Sequence, residues 1–598
     1  MSILQSLSRW NRLRLERRKQ AKLDRRTPPY ALWIQRFDTL SPQVADAVRQ
    51  KWHDRGPLIS VIVPTYNPDL AHLRAALESV QRQLYAHWEL CIADDASTAP
   101  GVRELIQSFA EQDSRIKCVF RERNGHISAA SNSALALANG EFIALLDQDD
   151  LLAEHALAAM AQAIHTHPDA GLIYSDDDKI NDQGRRFSPH FKPDWNAFLL
   201  RSQNYICHLV AIRRSLVSEV GGFRIGLEGS QDHDLLLRCT ERLQADQVVH
   251  VPHILYHRRA HAGEPVYGPA CTPQALATGC QAIQDHLDRR GVPGIAEPDG
   301  THYRVRYMPT STLPRVSILL LTRDRPELLS SCVRSILEKT VYDDLEIIIL
   351  DNGTAQPEAL SLLEQFSQDP RVKLLRDASP FNFSALNNRA AKSATGDYLC
   401  LVNNDIEVLD GNWLHEMVSI ALQPGVGAVG ARLYYPNGTL QHAGVILGVG
   451  GIAGHVLRLQ SKEDDHYMSR SKVTQELSAV TAACIMTPRA VYQSLRGLDA
   501  EHLTVAYNDI DYCLRVCEAG LKVVYNPYIE LVHHESVSRG KEDTPEKKAR
   551  LQHEKRYMQT RWSARLAADP AYNPNLSIAA DNFALAEVPR MPLIGSLL

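Results

Sequence analysis

The amino-acid sequence contains a duplication with a very long period, and this feature constrains the fold more than any other. Four segments of the first copy recur in the same order in the second, at offsets of 257, 257, 256 and 277 positions: 59–67 in 316–324, 94 in 351, 128–150 in 384–406, and 231–238 in 508–515. The larger last offset makes the second copy about 20 residues longer in its middle. Four collinear matches predict two copies of one domain of about 240 residues.

Each copy opens with the pattern of an α/β sheet. In the first copy, the apolar run 59–63, which Pro64 is expected to end, is followed by helical spacing over 70–83. Further buried strands are predicted over 90–93 and 142–146, and both are followed by acidic residues. In such sheets ligands bind outside the carboxyl ends of the strands. We therefore expect the functional site at that edge in each copy.

Composition excludes several classes of protein. The 598 residues are 44% hydrophobic and 23% charged, which is typical of a globular chain. A net charge of −5 provides no general field for nucleic acid, so we expect no nucleic-acid partner. The 11 cysteines include no CxxC pair, which argues against zinc ribbons and fits a reducing cytoplasm. The longest uncharged apolar run, 443–456, is too short to span a membrane.

The N-terminal segment is strongly basic. Residues 1–26 contain nine Lys or Arg against two acidic residues, and Ile3, Leu7, Trp10 and Leu13 form one apolar helical stripe. Such a helix can lie on an anionic membrane surface. A solvated basic arm, or a helix docked on the protein itself, is an equally weighted alternative. We expect a cytoplasmic protein that associates peripherally with the inner face of the plasma membrane.

The ordered motifs resemble those of family 2 glycosyltransferases. The first copy contributes VIVPTYN, ADDAST, LLDQDD and QDHDLLLR, and the second contributes LLLTRDR, LDNGT, LVNNDIEV, YNDIDYCLR and LVHHESVSRG. The segments YSDDDKIND, FKPDWN and NYICHL are similar to those of tandem-domain bacterial O-antigen and surface-polysaccharide transferases. The resemblance covers about residues 57–540 and implies two tandem GT-A domains, which are Rossmann-like α/β units with a mainly parallel sheet.

The predicted organisation has four parts. They are a basic arm and linker over 1–55, a first GT-A domain over 56–305, a second over 306–545, and a C-terminal helix and tail over 546–598.

A divalent cation is expected in the first copy. Asp147 and Asp149 are hard oxygen donors at i and i+2 just past a strand, and they suit Mg²⁺ or Mn²⁺. The resemblance implies that Asp149 binds the metal and that Asp147 faces the ribose or a metal-bound water. The alternative is an acidic loop in which Asp150 caps a helix.

The second copy keeps one carboxylate at this point, in Asn403-Asn404-Asp405. Asn403 can still hydrogen-bond a ribose, and Asp405 is expected to hold the metal with help from His533 or His534. His257 is expected to occupy the comparable place in the first copy. A purely structural role for these histidines is an equally weighted alternative.

Asp232 and Asp509 are the candidate general bases. Each begins an Asp-x-Asp-x3-Arg run at the predicted start of a helix, where the two carboxylates do not share one face with the arginine. One carboxylate can face an acceptor while the other packs or pairs with the arginine. The resemblance implies that the first Asp is the base, and helix capping is compatible with that role.

The resemblance assigns the nucleoside side of each site to residues after the first two strands. These candidate donor-binding residues are Pro64, Thr65, Tyr66, Asn67 and Asp95 in the first copy, and Thr322, Arg323, Asp324 and Asp351 in the second. A carboxylate can accept from a pyrimidine N–H. Because Arg323 replaces the aromatic Tyr66, the two donor preferences are expected to differ.

Together these features predict a bifunctional inverting transferase. It would move sugars from nucleotide-diphosphate donors, a dTDP- or UDP-sugar, to a lipid-linked bacterial surface glycan. Rhamnose from dTDP is the first expectation. The alternatives are a single-activity hexosyl- or rhamnosyltransferase with a degenerate second domain, and a glycan-binding scaffold in a polysaccharide assembly complex.

Overall fold

The computed structural model describes residues 29–53, 55–260, 272–309, 312–535, 544–592 and 595. Residues 1–26, for which a membrane-binding helix is predicted, lie outside this part of the chain. The contacts divide the chain into two compact units. The first unit consists of the described residues up to Val305, together with Asn573–Leu576 and the described residues from Leu585 onward. The second unit consists of Arg306–Tyr572 and Ser577–Ala584 in the described chain.

The described elements up to Tyr307 begin with two helices, and the rest alternate between strands and helices. The helices are α1 Tyr30–Phe37, α2 Pro42–Lys51, α3 Leu70–Gln81, α4 Val102–Gln112, α5 His126–Leu135, α6 Ala156–Thr166, α7 Ala197–Ser202, α8 Arg214–Glu219, α9 Gln231–Thr240 and α10 Pro273–Arg289. The strands are β1 Ile59–Thr65, β2 Trp88–Asp94, β3 Ile116–Phe120, β4 Phe142–Leu145, β5 Leu151–Leu152, β6 Leu172–Ile180, β7 Arg186–His190, β8 Val210–Arg213, β9 Val248–Arg259, β10 Gly294–Asp299 and β11 His302–Tyr307.

The second unit repeats most of this order. Its helices are α11 Pro326–Lys339, α12 Pro357–Phe366, α13 Phe383–Lys392, α14 Trp413–Ala421, α15 Arg489–Ser494, α16 Asn508–Glu518, α17 Pro545–Arg561 and α18 Ser563–Ala567. Its strands are β12 Val316–Thr322, β13 Leu345–Asp351, β14 Val372–Arg376, β15 Tyr398–Asn403, β16 Ile406–Val408, β17 Val426–Tyr434, β18 Leu440–His442, β19 Val445–Leu447, β20 Ala453–His455, β21 Gln475–Leu477, β22 Cys484–Pro488 and β23 Lys522–His533.

The two large sheets have the same strand order. The first runs β3-β2-β1-β4-β8-β6-β9-β5, and the second runs β14-β13-β12-β15-β22-β17-β23-β16. In each sheet the first four strands are parallel, and the fifth is antiparallel to the fourth. The prediction of two tandem GT-A domains is therefore confirmed.

The central strands are buried because helices cover both faces of a doubly wound sheet. Ile59, Val61 and Val63 of β1 are almost fully buried, as are Ile318 and Leu320 of β12. This explains why both strands could be recognised as continuous apolar runs rather than as alternating patterns.

The prediction that Pro64 ends β1 is wrong. Pro64 pairs with Ala93 of β2, and β1 continues to Thr65. On its other side β1 pairs with β4 only as far as Ile62. Because the pairing with β4 has already ended at Pro64, the missing N–H of this proline removes no hydrogen bond to β4, and the position tolerates proline.

The repeat also extends further than its sequence motifs indicate. Helix α17 begins with Thr544 as its N-cap and Pro545 at its first turn, just as α10 begins with Thr272 and Pro273, and both helices have 17 residues. Each helix follows a 12-residue strand, β9 or β23, which is the last strand of its large sheet in chain order. The C-terminal helix therefore corresponds to a last helix of the repeat and not to a separate appendage.

A buried glutamate stabilises the amino-terminal edge of each sheet. Glu89 accepts hydrogen bonds from Ser60 Oγ at 2.6 Å, from Lys117 Nζ at 2.5 Å and from the backbone N–H of Gly140 at 3.1 Å. Glu346 in the second unit likewise accepts from Ser317 Oγ at 2.5 Å. Burial by itself would raise the pKa of Glu89, but these hydrogen bonds, the one from Lys117 above all, lower it to about 2.

We expect Glu89→Gln to destabilise the first unit by about 2–4 kcal/mol at pH 7, because the Lys117 ammonium loses its partner. The pKa of Glu89 is lower in the folded chain, so the ionised carboxylate stabilises the unit fully above pH 4.5, and this contribution is lost between about pH 4.5 and 2. Hydrogen exchange of the β1 and β2 amides, referenced to β12 and β13, measures the difference. Exposed Glu111 provides the control substitution Glu111→Gln. Equal protection in both variants at pH 7 would contradict this role.

In the described parts of the chain, no helix is long and apolar enough to cross a membrane.

Candidate functional site

In the first unit, an acidic cluster follows β4 at the carboxyl edge of the sheet. Asp150 is buried, and its carboxylate accepts from the Tyr256 hydroxyl at 2.7 Å and from the backbone N–H of Arg259 at 2.6 Å. The same Tyr256 hydroxyl accepts from the backbone N–H of Asp147 at 3.1 Å. Asp150 does not cap a helix, because β5 follows it directly. Its role is to fix the loop that carries Asp147 and Asp149.

His208 is the histidine that the structure brings to this cluster. Its Nε2 lies 3.5 Å from Asp147 Oδ2, and its ring stacks on Tyr256 with centroids 4.6 Å apart and planes at 11°. Ligand atoms of Asp147, Asp150 and His208 all lie within 4.8 Å of one another. Two carboxylates and an imidazole in this arrangement suit a divalent cation.

The electrostatics of the cluster also fit a cation. Burial raises the pKa of Asp147, and the nearby carboxylates of Asp149 and Asp232 raise it further against the opposing effect of His208. Burial and Asp147 raise the pKa of Asp150 to about 7. Carboxylates held this close repel one another, and a bound divalent cation relieves that repulsion.

The structure places His257 away from this cluster. Its Nδ1 lies 2.7 Å from Asp178 Oδ1, and the second oxygen of Asp178 accepts from Arg186 Nε at 2.6 Å and from the Tyr30 hydroxyl at 2.6 Å. Strand pairing sets Leu151 opposite His257, whereas Ile406 lies opposite His533. Position 406 corresponds to position 150, which in the register of Leu151 with His257 lies opposite Arg258. Arg258 is therefore the counterpart of His533, and the prediction that His257 and His533 occupy comparable places is wrong.

The predicted base of the first unit lies on the first turn of α9. Asp232 is half-buried, and its Oδ2 accepts from Asn204 Nδ2 at 2.8 Å. Asp234 is fully buried and binds Arg238 at 2.7 Å together with Arg224. The prediction that one carboxylate of the pair binds the arginine is therefore confirmed. Asp232 is also close enough to Asp147 to raise the pKa of that carboxyl.

The predicted donor-binding residues lie at the carboxyl ends of β1 and β2. Asn67 Oδ1 accepts from the backbone N–H groups of Thr98 and Ala99 at 2.8 and 2.9 Å, so it ties the two loops together. The carboxylate of Asp95 accepts from Arg121 Nε at 2.7 Å and from the Gly125 N–H at 3.0 Å. Both side chains thus have structural partners in addition to their predicted role.

Three further predicted donor-binding residues are the last two residues of β1 and the residue that follows them. Thr65 is buried, Pro64 is half-buried, and the Tyr66 side chain is 46% exposed. The Tyr66 backbone N–H donates to Gln148 Oε1 at 2.8 Å, which links the end of β1 to the acidic loop. An exposed aromatic ring beside this loop is suitably placed to stack on a base.

The second unit has a different cluster at the equivalent edge. His533 Nε2 lies 3.1 Å from Asp405 Oδ1, so the structure brings together two residues predicted to bind metal. Asn403 donates its backbone N–H to Ala483 O at 3.0 Å, and Asn404 Nδ2 donates to Thr322 Oγ1 at 3.3 Å.

Strand register shows that four positions of the acidic cluster change together between the units. The first-unit residues Asp147, Asp150, His208 and Tyr256 correspond to Asn403, Ile406, Ala483 and Leu531 in the second. The hydrogen-bonded Tyr256–Asp150 pair thus becomes an apolar pair. The second unit therefore lacks these four side chains together, while Asp405 retains the carboxylate at the position of Asp149.

The second predicted base keeps the geometry of the first. Asp509 Oδ2, on the first turn of α16, accepts from Thr481 Oγ1 at 3.2 Å and from the Ala482 N–H at 3.1 Å. Asp511 is fully buried and binds Arg515 at 2.8 Å.

The predicted donor-binding residues of the second unit repeat the loop geometry of the first. Asp324 Oδ1 accepts from the backbone N–H groups of Ala355 and Gln356 at 2.8 and 3.0 Å, as Asn67 does in the first unit. Asp351 accepts from the Thr354 N–H at 2.8 Å. The Arg323 side chain is 62% exposed.

The sequence model of "Glycosyl transferase family 2" matches residues 60–221 and again residues 317–494, which is more than half of the chain. The chain belongs to glycosyl transferase family 2. One match lies in each unit and covers most of the strands of its large sheet, so each unit contains a family 2 domain.

Two relatives of this family 2 chain match over most of its length. It is 48% identical over 93% of its residues to the uncharacterized protein y4gI of Sinorhizobium fredii, and it covers 61% of that protein. It is 40% identical over 90% of its residues to the O-antigen biosynthesis protein RfbC of Myxococcus xanthus, and it covers 41% of that protein. The chain thus spans about half the length of these relatives. A solved mannosyltransferase from Pyrobaculum calidifontis, in complex with GDP-Man and Mn²⁺, is similar at 14% identity and a TM-score of 0.31, over 42% of this chain and 70% of that one.

Several residues of these family 2 sites were missed by sequence reasoning. They are Gln148, Asn204, His208 and Tyr256 in the first unit and Thr481 in the second. His208 stands in NYICHL, one of the segments that carry the resemblance, and Tyr256 directly precedes the predicted ligand His257. Their position beside the acidic loop depends on antiparallel strands that join the sheet late in the chain, and no local pattern reveals it.

Proposed function

We propose that the chain is a bifunctional inverting glycosyltransferase, in which each unit transfers one sugar from a nucleotide-diphosphate donor to a lipid-linked bacterial surface glycan. The observation that carries this proposal is the pair of half-buried carboxylates, Asp232 and Asp509, at equivalent helix starts beside the carboxyl edges of the two sheets. The relationship to an O-antigen biosynthesis protein supports the choice of a surface glycan as acceptor.

Each carboxylate acts as the general base of one displacement. Asp232 or Asp509 accepts the proton of the acceptor hydroxyl as the hydroxyl oxygen bonds to the anomeric carbon. The bond between that carbon and the phosphate oxygen breaks, and the nucleoside diphosphate leaves. In each unit a polar neighbour, Asn204 or Thr481, donates to the base and holds it in place.

A Mg²⁺ or Mn²⁺ ion would be held in the first unit by Asp147 and His208, whose ligand atoms lie within 4.8 Å of one another and of one from Asp150. Asp149, whose charge raises the pKa of Asp147, is proposed as a further ligand. In this proposal His208 takes the place predicted for His257, whose Nδ1 contacts Asp178. In the second unit the proposed ligands are Asp405 and His533, although no histidine of the first unit occupies the position of His533. When bound, the ion neutralises the charge of the leaving diphosphate.

On the donor side, Tyr66 and Asp95 are proposed to contact the nucleoside in the first unit, and Arg323 and Asp351 in the second. The exposed residues Tyr66 and Arg323 differ most between the units, since an aromatic ring in the first is replaced by a guanidinium in the second. We therefore expect two donor preferences, with a dTDP- or UDP-sugar in at least one unit and dTDP-rhamnose as the first to test.

A second candidate function is a single transfer activity in the first unit. It is favoured by the joint loss of Asp147, Asp150, His208 and Tyr256 at the equivalent positions of the second unit. Against it, the second unit retains Asp509 and its hydrogen bonds and brings Asp405 to His533.

The proposal is tested by incubating the purified chain with a panel of nucleotide sugars and measuring the release of nucleoside diphosphate with Mg²⁺, with Mn²⁺ and with EDTA. We expect release that depends on the cation and on one or two donors. Release that is equal with and without EDTA would contradict the cation sites, and no release from any donor would contradict transferase activity.

The basic segment 1–26 is proposed to bind the inner membrane surface, where a lipid-linked acceptor is anchored. It carries nine basic and two acidic residues, and each basic residue near an anionic surface contributes about 1 kcal/mol. Deleting residues 1–26 is expected to release the protein from anionic liposomes without changing turnover of a soluble acceptor. High salt should weaken binding of the intact chain. Equal sedimentation of both forms with liposomes would contradict this anchor.

A further inference from the structure

Lys192 is a fully buried lysine in the first unit, just after β7. Its Nζ donates to the backbone carbonyls of Ser175 at 2.6 Å, Ile206 at 2.7 Å and His208, and it lies 2.8 Å from Asp177 Oδ1. A buried ammonium is costly unless its protons are all satisfied, so these carbonyls must stay in place around it. Lys192 therefore fixes the backbone that presents His208.

His208 is also the imidazole of the cation cluster. Its Nε2 lies 3.5 Å from Asp147 Oδ2, and its ring is held against Tyr256. A shift of the 206–208 backbone would move this imidazole relative to Asp147. The geometry of the cluster thus depends on Lys192, although Lys192 Nζ points to carbonyls and not to the cluster itself.

The segment that carries Lys192 is held by a residue almost 400 positions further along the chain. Asn573 is 2% exposed, and its Nδ2 donates to Asp176 Oδ2 and to the backbone carbonyl of Lys192, both at 2.8 Å. The backbone N–H of Lys192 donates to the other oxygen of Asp176 at 2.9 Å. One amide group therefore closes a ring of hydrogen bonds around the Lys192 backbone.

We propose that Asn573, in the C-terminal tail, is a positioning residue for the transfer site of the first unit and acts through Lys192 on His208. The inference rests on the proposed cation site for its consequence in catalysis, but the mechanical link from Asn573 to His208 stands on contacts within the first unit. The segment Asn573–Leu576 follows the helices of the second domain in the chain but belongs to the first unit, and it completes the hydrogen bonding there.

The chain offers a matched control in the same tail. Asn575 is also fully buried, and its Nδ2 donates to Pro252 O at 2.9 Å and not to Asp176 or Lys192. Asn575→Ala removes one amide of the same kind and burial. Asn573→Asp keeps the size of the side chain but places a carboxylate against Asp176, so its effect should exceed that of Asn573→Ala if the donated hydrogen bonds matter.

The experiment compares the full-length chain with Asn573→Ala, Asn573→Asp and Asn575→Ala. Hydrogen exchange of the 204–210 amides is expected to accelerate about tenfold or more in both Asn573 variants and to stay unchanged in Asn575→Ala. Mn²⁺ binding, measured by electron paramagnetic resonance, is expected to weaken about 10-fold or more in the Asn573 variants. Their kcat should fall in the first transfer while the second transfer is unaffected.

Unchanged exchange at 204–210 in both Asn573 variants, or the same acceleration in Asn575→Ala, would overturn the inference. Accelerated exchange in a chain whose unaltered form binds no Mn²⁺ would support the link to His208 and contradict the cation site of the proposed function. The two failures are thus distinguishable.

Discussion

Replacing Asp149 by alanine is expected to abolish transfer by the first unit and to leave its fold intact. Asp149 lies in the acidic loop, and its carboxylate raises the pKa of the half-buried Asp147, so it contributes to the charge that attracts a cation. Loss of a cation that stabilises the leaving diphosphate costs several kcal/mol, which is about a thousandfold in rate. The effect should appear in kcat at saturating donor, and EDTA should reproduce it in the unaltered chain.

The control for this variant is Asp169→Ala, which removes an exposed carboxylate of the same unit. Its rate should equal that of the unaltered chain. Hydrogen exchange of β1 and β4 checks that the fold is retained in Asp149→Ala. Full first-unit activity of that variant at saturating donor would refute the assignment of Asp149.

The second large effect separates the two units. Asp232→Asn and Asp509→Asn keep the size of the side chain and remove the proton acceptor, and loss of a general base costs about 10²–10⁴-fold. Because the two carboxylates lie in different domains, each variant should block a different addition. Mass analysis of the products should then show stalled intermediates that differ by one sugar.

Asp246→Asn, at an exposed position outside the site, is the matched control and should give the full product. Identical product profiles for Asp232→Asn and Asp509→Asn would favour a single functional site. A normal product from Asp509→Asn alone would support the alternative in which only the first unit is active.

The sequence was sufficient to predict the fold because the signals were local and repeated. Each central strand is a continuous apolar run, and the same runs recur 257 positions later, which excludes coincidence. The acidic residues that follow β4 and the paired carboxylates of α9 and α16 could be found for the same reason. Their placement needs only the rule that parallel strands present their carboxyl ends at one edge.

The residues that complete the sites could not be predicted in this way. His208 precedes β8 and Tyr256 lies on β9, two strands whose register against β4 and β5 is set by long-range pairing. A shift of one residue reverses the face to which a strand side chain points. This is why His257 was predicted at the cluster, whereas the observed register directs it to Asp178.

The role of the C-terminal tail was also hidden from sequence reasoning. Asn573 follows the last helix of the second domain in sequence, yet it donates hydrogen bonds to Asp176 and Lys192 of the first unit. No pattern in the sequence around Asn573 indicates a contact with residues almost 400 positions away.

Intact-mass analysis of the acceptor tests most directly whether each unit adds one sugar. The unaltered chain, supplied with its donors and Mg²⁺ or Mn²⁺, is predicted to add two sugars per acceptor and to release one nucleoside diphosphate for each. An acceptor whose mass never increases by more than one sugar, with every donor of the panel present together, would contradict transfer by both units.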